Sequence, residues 1–450
     1  MAYTDFIAAI DLGTSHMVGM VGTKNATGAL SIIAYEVENS GTCIRRGCVY
    51  NVKETASKIR RLILKLENKL GGTKIGQVYV GLGGQSLRSI EHTVCKVLGT
   101  EGVVTEEIID SLYQECKDYR PDMLTVLDVV SPSYFLDDKP ESNPVGVPCS
   151  RIEARYKLIV GRPSLKLNIV NSISEQAKIE IAGILVSPLA LGDVVLSDNE
   201  KDFGCALIGF GAGVTTISVY KGGKLASLSV VPFGGNLITK DITNLRVVES
   251  EAERLKITYG SAKADRDNDM TIQVSLADGM GLREIKLAEL NGVIEARMDE
   301  ILENVYARLE ATGLMSVLGA GIVITGGGAA LKNLPAVMSE RLKMEVRYSA
   351  VRKGVVASGD LVVASNPEYA VAVGLLAKGT KNCALYIPPK PEPKIEPVVE
   401  PEPTVEPTPE PVKEKPKKEK KKGPGLFGRL TKGIDTFGKT LFDDDDNESK

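Results

Sequence analysis

The turn after the first apolar run of the chain carries the residues best suited to bind phosphate. Asp11 ends the run at residues 6–10, and Gly13, Thr14 and Ser15 follow it. Glycine tolerates positive φ and lets backbone N–H groups come close to an anion, while the hydroxyl groups add further donors. A carboxylate at the end of a strand can hold Mg²⁺ or its waters against the β- and γ-phosphates of a nucleotide. The turn therefore predicts a phosphate site with a metal ligand. An ordinary β-hairpin with an Asp-x-Gly turn has the same sequence pattern and is the alternative interpretation.

Two further glycine turns are spaced so that they could complete a nucleotide site. A second hairpin pattern begins at Cys205, about two hundred residues after the first, and its turn offers an opposing phosphate cradle at Gly211-Ala212-Gly213. A third turn follows an apolar run and offers flat contact with an adenine or a ribose at Gly326-Gly327-Gly328. Each turn alone also fits a connector that merely needs positive φ. Together, the two hairpins and the third turn indicate two related lobes that clamp a nucleotide.

A helical segment between the second and third turns carries a charged pair at a useful spacing. Glu253 and Lys256 are three residues apart and so share one face of a helix, from which they could reach a ribose and an adenine together. A surface ion pair is the commoner meaning of the same spacing. Both interpretations stay open from the sequence.

Strands and helices alternate around these turns, which predicts an α/β architecture. Residues 84–164 interrupt this alternation and are typical of an insertion, with strands near 94–97, 126–130 and 153–160. Apolar periodicity predicts a buried strand at Gln77–Leu82 and helices at Val52–Lys69, 170–182, Glu249–Tyr259 and 287–309.

The composition argues against several classes of protein. With 450 residues and 43% hydrophobic content, the chain predicts a folded body of two or more domains. A net charge of −3 argues against a general nucleic-acid binder, and no apolar run approaches the ~20 residues of a membrane span. Seven scattered cysteines without a Cys-x-x-Cys pair predict reduced thiols in a cytosolic protein. With two histidines, a histidine-based metal site is nearly excluded.

A different composition begins near residue 388. Twelve of the 22 prolines fall between 388 and 424, alternating with glutamate before a lysine-rich run, which predicts an extended linker. On a helical wheel, the apolar residues of 426–441 fall within an arc of about 100°, with Phe442 about 60° beyond it and Asp435 and Lys439 opposite. This pattern predicts an interfacial membrane helix, and the long linker disfavours the alternative of a helix docked on its own globular body. The apolar residues are Leu426, Phe427, Leu430, Ile434, Phe437, Leu441 and Phe442.

In this order, the motifs resemble those of the actin, sugar-kinase and chaperone ATPase superfamily. The set runs from the Asp-x-Gly-Thr hairpin through the second hairpin, the Gly234-Gly235 turn, the Glu253–Lys256 helix and the third glycine turn after Thr325. Within that superfamily the chain is similar to the FtsA family of bacterial actin-like cell-division proteins. The closer matches are Val78-Tyr79-Val80-Gly81, Asn143-Pro144-Val145-Gly146 and the segment 370–376. The resemblance adds Gly234 and Gly235 to the predicted ATP site.

The resemblance also implies a division of the chain. A two-lobed actin-like ATPase fold would carry an inserted α+β subdomain, then a disordered linker and a C-terminal amphipathic helix. The first lobe would comprise 1–83, completed by 165–202 and 353–386, and the inserted subdomain, called 1C in the family, would comprise 84–164. The second lobe would comprise 203–352, with an FtsZ-binding subdomain near 236–310. The remaining segments would be the linker 387–422, the membrane helix 423–442 and the acidic end 443–450.

The function implied by the resemblance is that of a membrane tether for cell division. Members of the family bind ATP with Mg²⁺, polymerise, anchor the ring of the tubulin-like protein FtsZ to the cytoplasmic face of the membrane and recruit later division proteins. The expected partners are therefore FtsZ, further copies of this chain, other division proteins and the inner-membrane lipid surface, with no nucleic acid. The alternatives are a sugar kinase-like phosphotransferase, a pilus-assembly actin-like adaptor and a rod-shape actin homologue.

The sequence departs from the family pattern in the second hairpin. Gly209 and Thr216 stand where members usually carry acids, the first of which helps to position Mg²⁺ and the attacking water. Asp193 aligns with the Gln or Glu that orients water in relatives, so Asp11 and Asp193 are the candidate catalytic residues, and Asp11 is the candidate Mg²⁺ ligand. We expect ATP to bind and its hydrolysis to be slow or absent.

Overall fold

The computed structural model describes residues 5–99, 102–275, 281–358, 363 and 365–385. The predicted linker, amphipathic helix and acidic end, with their membrane residues 426–442, lie outside these residues. No helix in the described ranges is both long and apolar enough to cross a bilayer.

The first lobe is built on a six-stranded sheet whose order is β11-β6-β1-β2-β3-β19. β1 and β2 form an antiparallel hairpin, and β6 pairs with β1 in parallel. The apolar run of β1 is buried along nearly its whole length, as expected of a strand covered on both faces. The strands are β1 Ile7–Leu12, β2 His16–Lys24, β3 Leu30–Asn39, β6 Gln77–Leu82, β11 Glu180–Val186 and β19 Val356–Ser358, and a separate small hairpin joins β4 Ile44–Arg45 to β5 Cys48–Val49.

Helices cover this sheet because their apolar residues recur on one face. Helix α1 (Val52–Lys69) starts at Asn51, whose side chain accepts a hydrogen bond from Glu54 N, and it buries Ile59, Leu62 and Leu66 against the strands. Helix α3 (Ser164–Val170) continues into a π-helical turn, and Lys178 ends it at φ +61°. The helix predicted at 170–182 is thus wrong at both ends. The helical segment already begins at Ser164, and residues from Glu180 onward pair with β6 as strand β11.

The inserted segment forms a four-stranded sheet of its own, in the order β7-β10-β8-β9. Helix α2 (Glu106–Asp118) packs on that sheet and is capped by Thr105. A separate apolar core includes Leu112, Ile152 and Tyr156. This sheet also touches the second lobe, because Leu228 N donates to Ser89 Oγ at 2.8 Å. Its strands are β7 Arg88–Val97, β8 Thr125–Leu136, β9 Lys139–Glu141 and β10 Arg151–Gly161.

The second lobe repeats the central arrangement of the first. Its sheet order is β14-β13-β12-β17-β18, with β12 and β13 in an antiparallel hairpin and β17 parallel to β12. The strands are β12 Cys205–Phe210, β13 Thr215–Lys221, β14 Lys224–Val231, β17 Ile322–Thr325 and β18 Val346–Tyr348, with a separate hairpin of β15 Thr271–Ser275 and β16 Leu282–Lys286. The helices are α6 Gly235–Ile242, α7 Glu249–Tyr259, α8 Leu287–Glu310 and α9 Leu334–Leu342.

The chain passes between the two sheets twice. The first passage contains α4 (Ser187–Val195) and α5 (Asp198–Phe203), and the second joins β18 to β19. Helix α10 (Ala370–Lys378) packs tightly on α4, because a Cβ on Gly374 would lie 2.3 Å from the Ala190 carbonyl oxygen. These contacts hold the two hairpin turns at one cleft.

Candidate functional site

The two hairpin turns, the third glycine turn and helix α7 line one cavity of about 260 Å³. Most of the residues that the sequence analysis singled out lie on its wall. They are Asp11, Gly13, Thr14, Ser15, Gly211, Ala212, Gly213, Gly235, Glu253, Lys256, Gly326, Gly327 and Gly328. Gly234 and Asp193 are not among the lining residues.

The hairpin turns of the two lobes meet face to face. Thr14 Oγ1 accepts a hydrogen bond from Gly47 N at 2.9 Å, which fixes the hydroxyl at the lobe boundary. A Cβ on Gly213 would lie 2.5 Å from that hydroxyl oxygen and 3.0 Å from Arg46 Cα. Any side chain at position 213 would therefore push the two turns apart.

The Gly234-Gly235 turn supports the second hairpin from behind. Gly235 N donates to Gly211 O at 3.0 Å, and Asn236 N donates to Ala212 O at 2.8 Å. A Cβ on Gly234 would lie 2.5 Å from the Gly211 oxygen, so only glycine fits this approach. Gly234 thus acts on the cavity through the backbone that it supports.

The third turn needs glycine for two different reasons. Gly326 has φ +88°, and a Cβ there would lie 2.6 Å from the backbone oxygen of Phe210. At Gly327 the nearest atom to a Cβ would be Glu368 Oε1, at 2.8 Å, which is the end of a flexible side chain. Gly326 therefore serves the fold, and Gly327 leaves space at the cavity.

Glu253 and Lys256 form the ion pair that their spacing indicates, and both also line the cavity. Lys256 Nζ lies 2.6 Å from Glu253 Oε2 and donates to Thr239 Oγ1 at 2.8 Å and to Gly235 O at 3.2 Å. Thr239 Oγ1 in turn donates to Glu253. This network holds the only lysine among the described lining residues beside the second hairpin.

Asp11 stands at the end of β1 without a cationic partner in the described part of the chain. Burial raises the pKa of this carboxyl from 3.8 to about 7, and a hydrogen bond with the Leu12 backbone offsets only part of that rise. A carboxylate that gains no neutralisation from the protein is a fitting ligand for a hard divalent cation such as Mg²⁺.

Ser187 and Glu368 line the same cavity and were not predicted from the sequence. A Cβ on Gly81 would lie 2.6 Å from Ser187 Oγ and 3.3 Å from Asp11 Oδ1, so the hydroxyl and the carboxylate lie close to one point above Gly81. The signal for Ser187 is its position at the start of helix α4, which directly follows strand β11. Glu368 had no such signal, because it approaches the third turn from a distant part of the chain.

Asp193 does not lie where it could orient a water in the cleft. Its Oδ1 lies 2.8 Å from Lys201 Nζ and its Oδ2 lies 2.7 Å from Lys378 Nζ. Both carboxylate oxygens are thus engaged by lysines, and Asp193 is absent from the cavity wall. Its place in the molecule is the passage between the lobes.

The two positions at which the family resemblance leads us to expect acids in the second hairpin also line the cavity. Gly209 and Thr216 are paired across β12 and β13, and both line the cavity. A Cβ on Gly209 would lie 2.7 Å from Thr216 Oγ1. The threonine hydroxyl therefore occupies the space that a side chain at 209 would need.

Comparisons with known proteins agree with this architecture. Residues 206–374 match the family model "Cell division protein FtsA". The chain is 39% identical over 382 residues to the cell division protein FtsA of Porphyromonas gingivalis, covering 84% of this chain and 79% of that protein. It is 32% identical over 392 residues to FtsA of Bacillus subtilis, covering 86% of each.

A solved structure supports the fold. A chain of the PilM-PilN type IV pilus biogenesis complex superposes with a TM-score of 0.58 at 16% identity, covering 82% of this chain and 97% of that one. At this identity the likeness concerns architecture alone, and the predicted two-lobed, actin-like α/β fold is confirmed. With the sequence identities to two cell division proteins over most of its length, the chain belongs to the FtsA family.

Proposed function

We propose that this protein binds ATP with Mg²⁺ between its lobes, polymerises, and anchors the FtsZ ring to the cytoplasmic face of the membrane at the division site, where later division proteins are recruited. The observation that carries the proposal is the cavity wall of glycine turns contributed by both lobes. Close backbone approach from two sides is what a bound polyphosphate requires, because its oxygens take hydrogen bonds from N–H groups.

Each part of the wall has a distinct task in this proposal. The two hairpin turns donate N–H and hydroxyl groups to the phosphates, and Asp11 holds Mg²⁺, which neutralises phosphate charge. Lys256 and Glu253 face the nucleoside, and Gly327 leaves flat space beside it. The arrangement needs no positively charged side chain at the phosphates, since backbone amides supply the donors.

Hydrolysis is slow or absent in this proposal. Phosphoryl transfer depends on charge stabilisation and on a positioned water. The second hairpin carries a glycine and a threonine at 209 and 216, and Asp193 is held by two lysines away from the cavity wall. ATP then acts mainly as a ligand that joins the lobes.

The membrane contact in this proposal comes from residues 426–442. Seven apolar side chains contribute about 1–2 kcal/mol each when partly buried, against helix nucleation and interior glycines that cost about 1 kcal/mol each. Lysines of the linker add about 1 kcal/mol each near anionic lipid. A single copy therefore binds reversibly, while a polymer binds through many tails at once.

FtsZ recruitment to vesicles tests the proposal. With ATP and Mg²⁺, the full chain should carry purified FtsZ into the pellet with vesicles of phosphatidylglycerol and phosphatidylcholine. The double variant Phe437→Glu, Leu430→Glu should lose most of that sedimentation, because two charges enter the apolar arc. The matched variant Gly428→Glu, Thr436→Glu places the same charges on the polar side and should keep it.

Two results would contradict the proposal. Equal sedimentation of both double variants would show that the tail is not the anchor. Binding of the full chain to vesicles without any FtsZ in the pellet would remove the tethering role.

A further inference from the structure

Asp193 lies where the two lobes are joined rather than where they face the cleft. It is near the end of α4, in the first passage between the sheets. Lys201 belongs to α5, which packs on strands of the second lobe, and Lys378 ends α10, which packs on the sheet of the first. The ion pairs of 2.8 Å and 2.7 Å therefore bind one carboxylate to both lobes.

The second passage between the lobes reaches the same point. Arg352 lies between β18 and β19, and its backbone N–H donates to Val194 O at 2.8 Å. Its Nη2 donates to the backbone oxygen of Asp193 at 3.0 Å. Both passages of the chain thus converge on Asp193, so any rotation of one lobe against the other must strain or exchange these contacts.

Two polar atoms beside this point lack hydrogen-bond partners among the described residues. They are the hydroxyl oxygen of Tyr220, on β13 of the second lobe, and Nε of Arg352, and both are buried. The Tyr220 hydroxyl touches α4, since a Cβ on Gly192 would lie 2.3 Å from it. Leaving a buried donor unpaired costs free energy, so these atoms indicate a second arrangement in which they are bonded.

Asp193 stays negatively charged at neutral pH in the described arrangement. Burial alone would raise its pKa, but hydrogen bonds and charges from Lys201 and Lys378 outweigh burial and lower it. The carboxylate is therefore ionised at neutral pH and available to either set of donors.

We propose that Asp193 switches between two sets of partners at the junction of the lobes. In the described, closed arrangement the Asp193 carboxylate pairs with Lys201 and Lys378. When the lobes open, it exchanges these lysines for the Tyr220 hydroxyl and Arg352 Nε. The proposal rests on the proposed function in one respect, which is that nucleotide enters and leaves when the lobes part.

Opposite effects of two substitutions on nucleotide release test this device. Asp193→Asn removes two lysine ion pairs from the described arrangement but only one charged partner, Arg352, from the open one, so it weakens the described arrangement more. A fluorescent ATP analogue with Mg²⁺ should therefore leave about tenfold faster in stopped flow. Tyr220→Phe removes a hydroxyl donor that is used only in the open arrangement, so release of the ATP analogue should slow by about threefold. Asp202→Asn makes the same charge change at an exposed position of α5 and should leave the release rate unchanged.

A merely structural role would give a different pattern. Unchanged release in both variants, or a shift in the same direction, would overturn the proposal. Because release requires binding, amide hydrogen exchange of the nucleotide-free protein provides an independent readout of residues 187–205 and 349–358. Exchange there should speed up in Asp193→Asn and slow down in Tyr220→Phe. If wild-type protein binds no nucleotide, the proposed function fails. The pattern of hydrogen exchange in the two variants still shows whether Asp193 changes its partners.

Discussion

Fold stability and function place opposite demands on Asp11. Burial in the cleft raises its pKa to about 7, so its charged form is costly in the free protein. The same charge is what a divalent cation needs. A residue kept for metal binding should therefore reduce the stability of the nucleotide-free protein.

Asp11→Asn should make the nucleotide-free protein more stable by about 1–2 kcal/mol above pH 7. Because folding raises this pKa, ionisation costs stability increasingly from about pH 4 to about pH 7 and by a constant amount above. Thermal unfolding of wild type and variant between about pH 5 and pH 8 should therefore show the stability difference between them growing up to about pH 7 and staying constant above it. Loss of Mg²⁺-dependent ATP affinity should accompany it, and a variant less stable at pH 8 would contradict the assignment.

Gly209 shows why the acid implied there by the family resemblance cannot be introduced by one substitution alone. A side chain there meets Thr216 Oγ1 at 2.7 Å, so Gly209→Asp alone should cost about 1–3 kcal/mol in thermal unfolding. Adding Thr216→Ala removes the obstructing oxygen and should recover much of that loss. We expect the double variant to release phosphate from ATP faster than wild type, with Thr216→Ala alone as control. Brisk hydrolysis by the wild-type protein would show that these acids are dispensable.

Glycines in tight turns were the residues most readily placed on the cavity wall from the sequence. Glycine has no side chain, so the glycines at 211, 213, 326 and 327 predict a close approach of the backbone to a ligand or to another segment. All four line the cavity. Asp193 was assigned by its order in the chain, and its contact with Lys378 depends on folding that the sequence does not display. Glu368 escaped prediction for the same reason.

At the scale of elements, α5 shows how a short helix is secured between the lobes. Ser197 and Glu200 form a capping box, in which Glu200 Oε2 accepts from Ser197 N at 2.8 Å. Arg347 Nε on β18 donates to the other carboxylate oxygen at 2.8 Å. Burial would raise the pKa of Glu200, but the hydrogen bonds from Ser197 and Arg347 and the arginine charge lower it.

Glu200→Gln should destabilise the protein by about 1–2 kcal/mol at neutral pH, because the cap and the ion pair are both weakened. A lowered pKa gives stability that is present above the ordinary carboxyl pKa and is lost as the pH falls through the folded-state value. The difference between variant and wild type should therefore shrink below about pH 4 in urea unfolding. Asp198→Asn, at an exposed position of the same helix, should show a smaller effect. A difference that stays constant with pH would exclude the ionic part.

The elements themselves were largely predictable where periodicity is strong. The predicted ranges of α1, β6 and α7 coincide with the observed ones, and α8 extends one residue further than predicted. The error at 170–182 arose where a helix gives way to a strand, because Ile181, Ile184 and Leu185 are compatible with either pattern. Pairing with β6 decides between them, and pairing is a long-range property.

At the scale of the whole molecule, the repeated hairpin pattern predicted two lobes, and the structure shows the same central topology in both sheets. The manner of their joining was not predictable. It depends on a carboxylate shared by Lys201 and Lys378 and on Gly374, which lets α10 approach α4. For the tail, in contrast, the amphipathic pattern is evident from the sequence, but its residues lie outside those that the structure describes.

Calorimetric titration with ATP and Mg²⁺ tests the central claim, a nucleotide site between the lobes, most directly. Gly327→Val should fold, because its nearest neighbour is the flexible end of Glu368, and its side chain should fill the space beside the nucleoside. We expect at least about tenfold weaker binding than wild type, about 1.4 kcal/mol. Gly292→Val, where a Cβ meets no atom within 4 Å, should bind as wild type does. Equal affinity of a folded Gly327→Val protein, or no binding by wild type, would contradict the account.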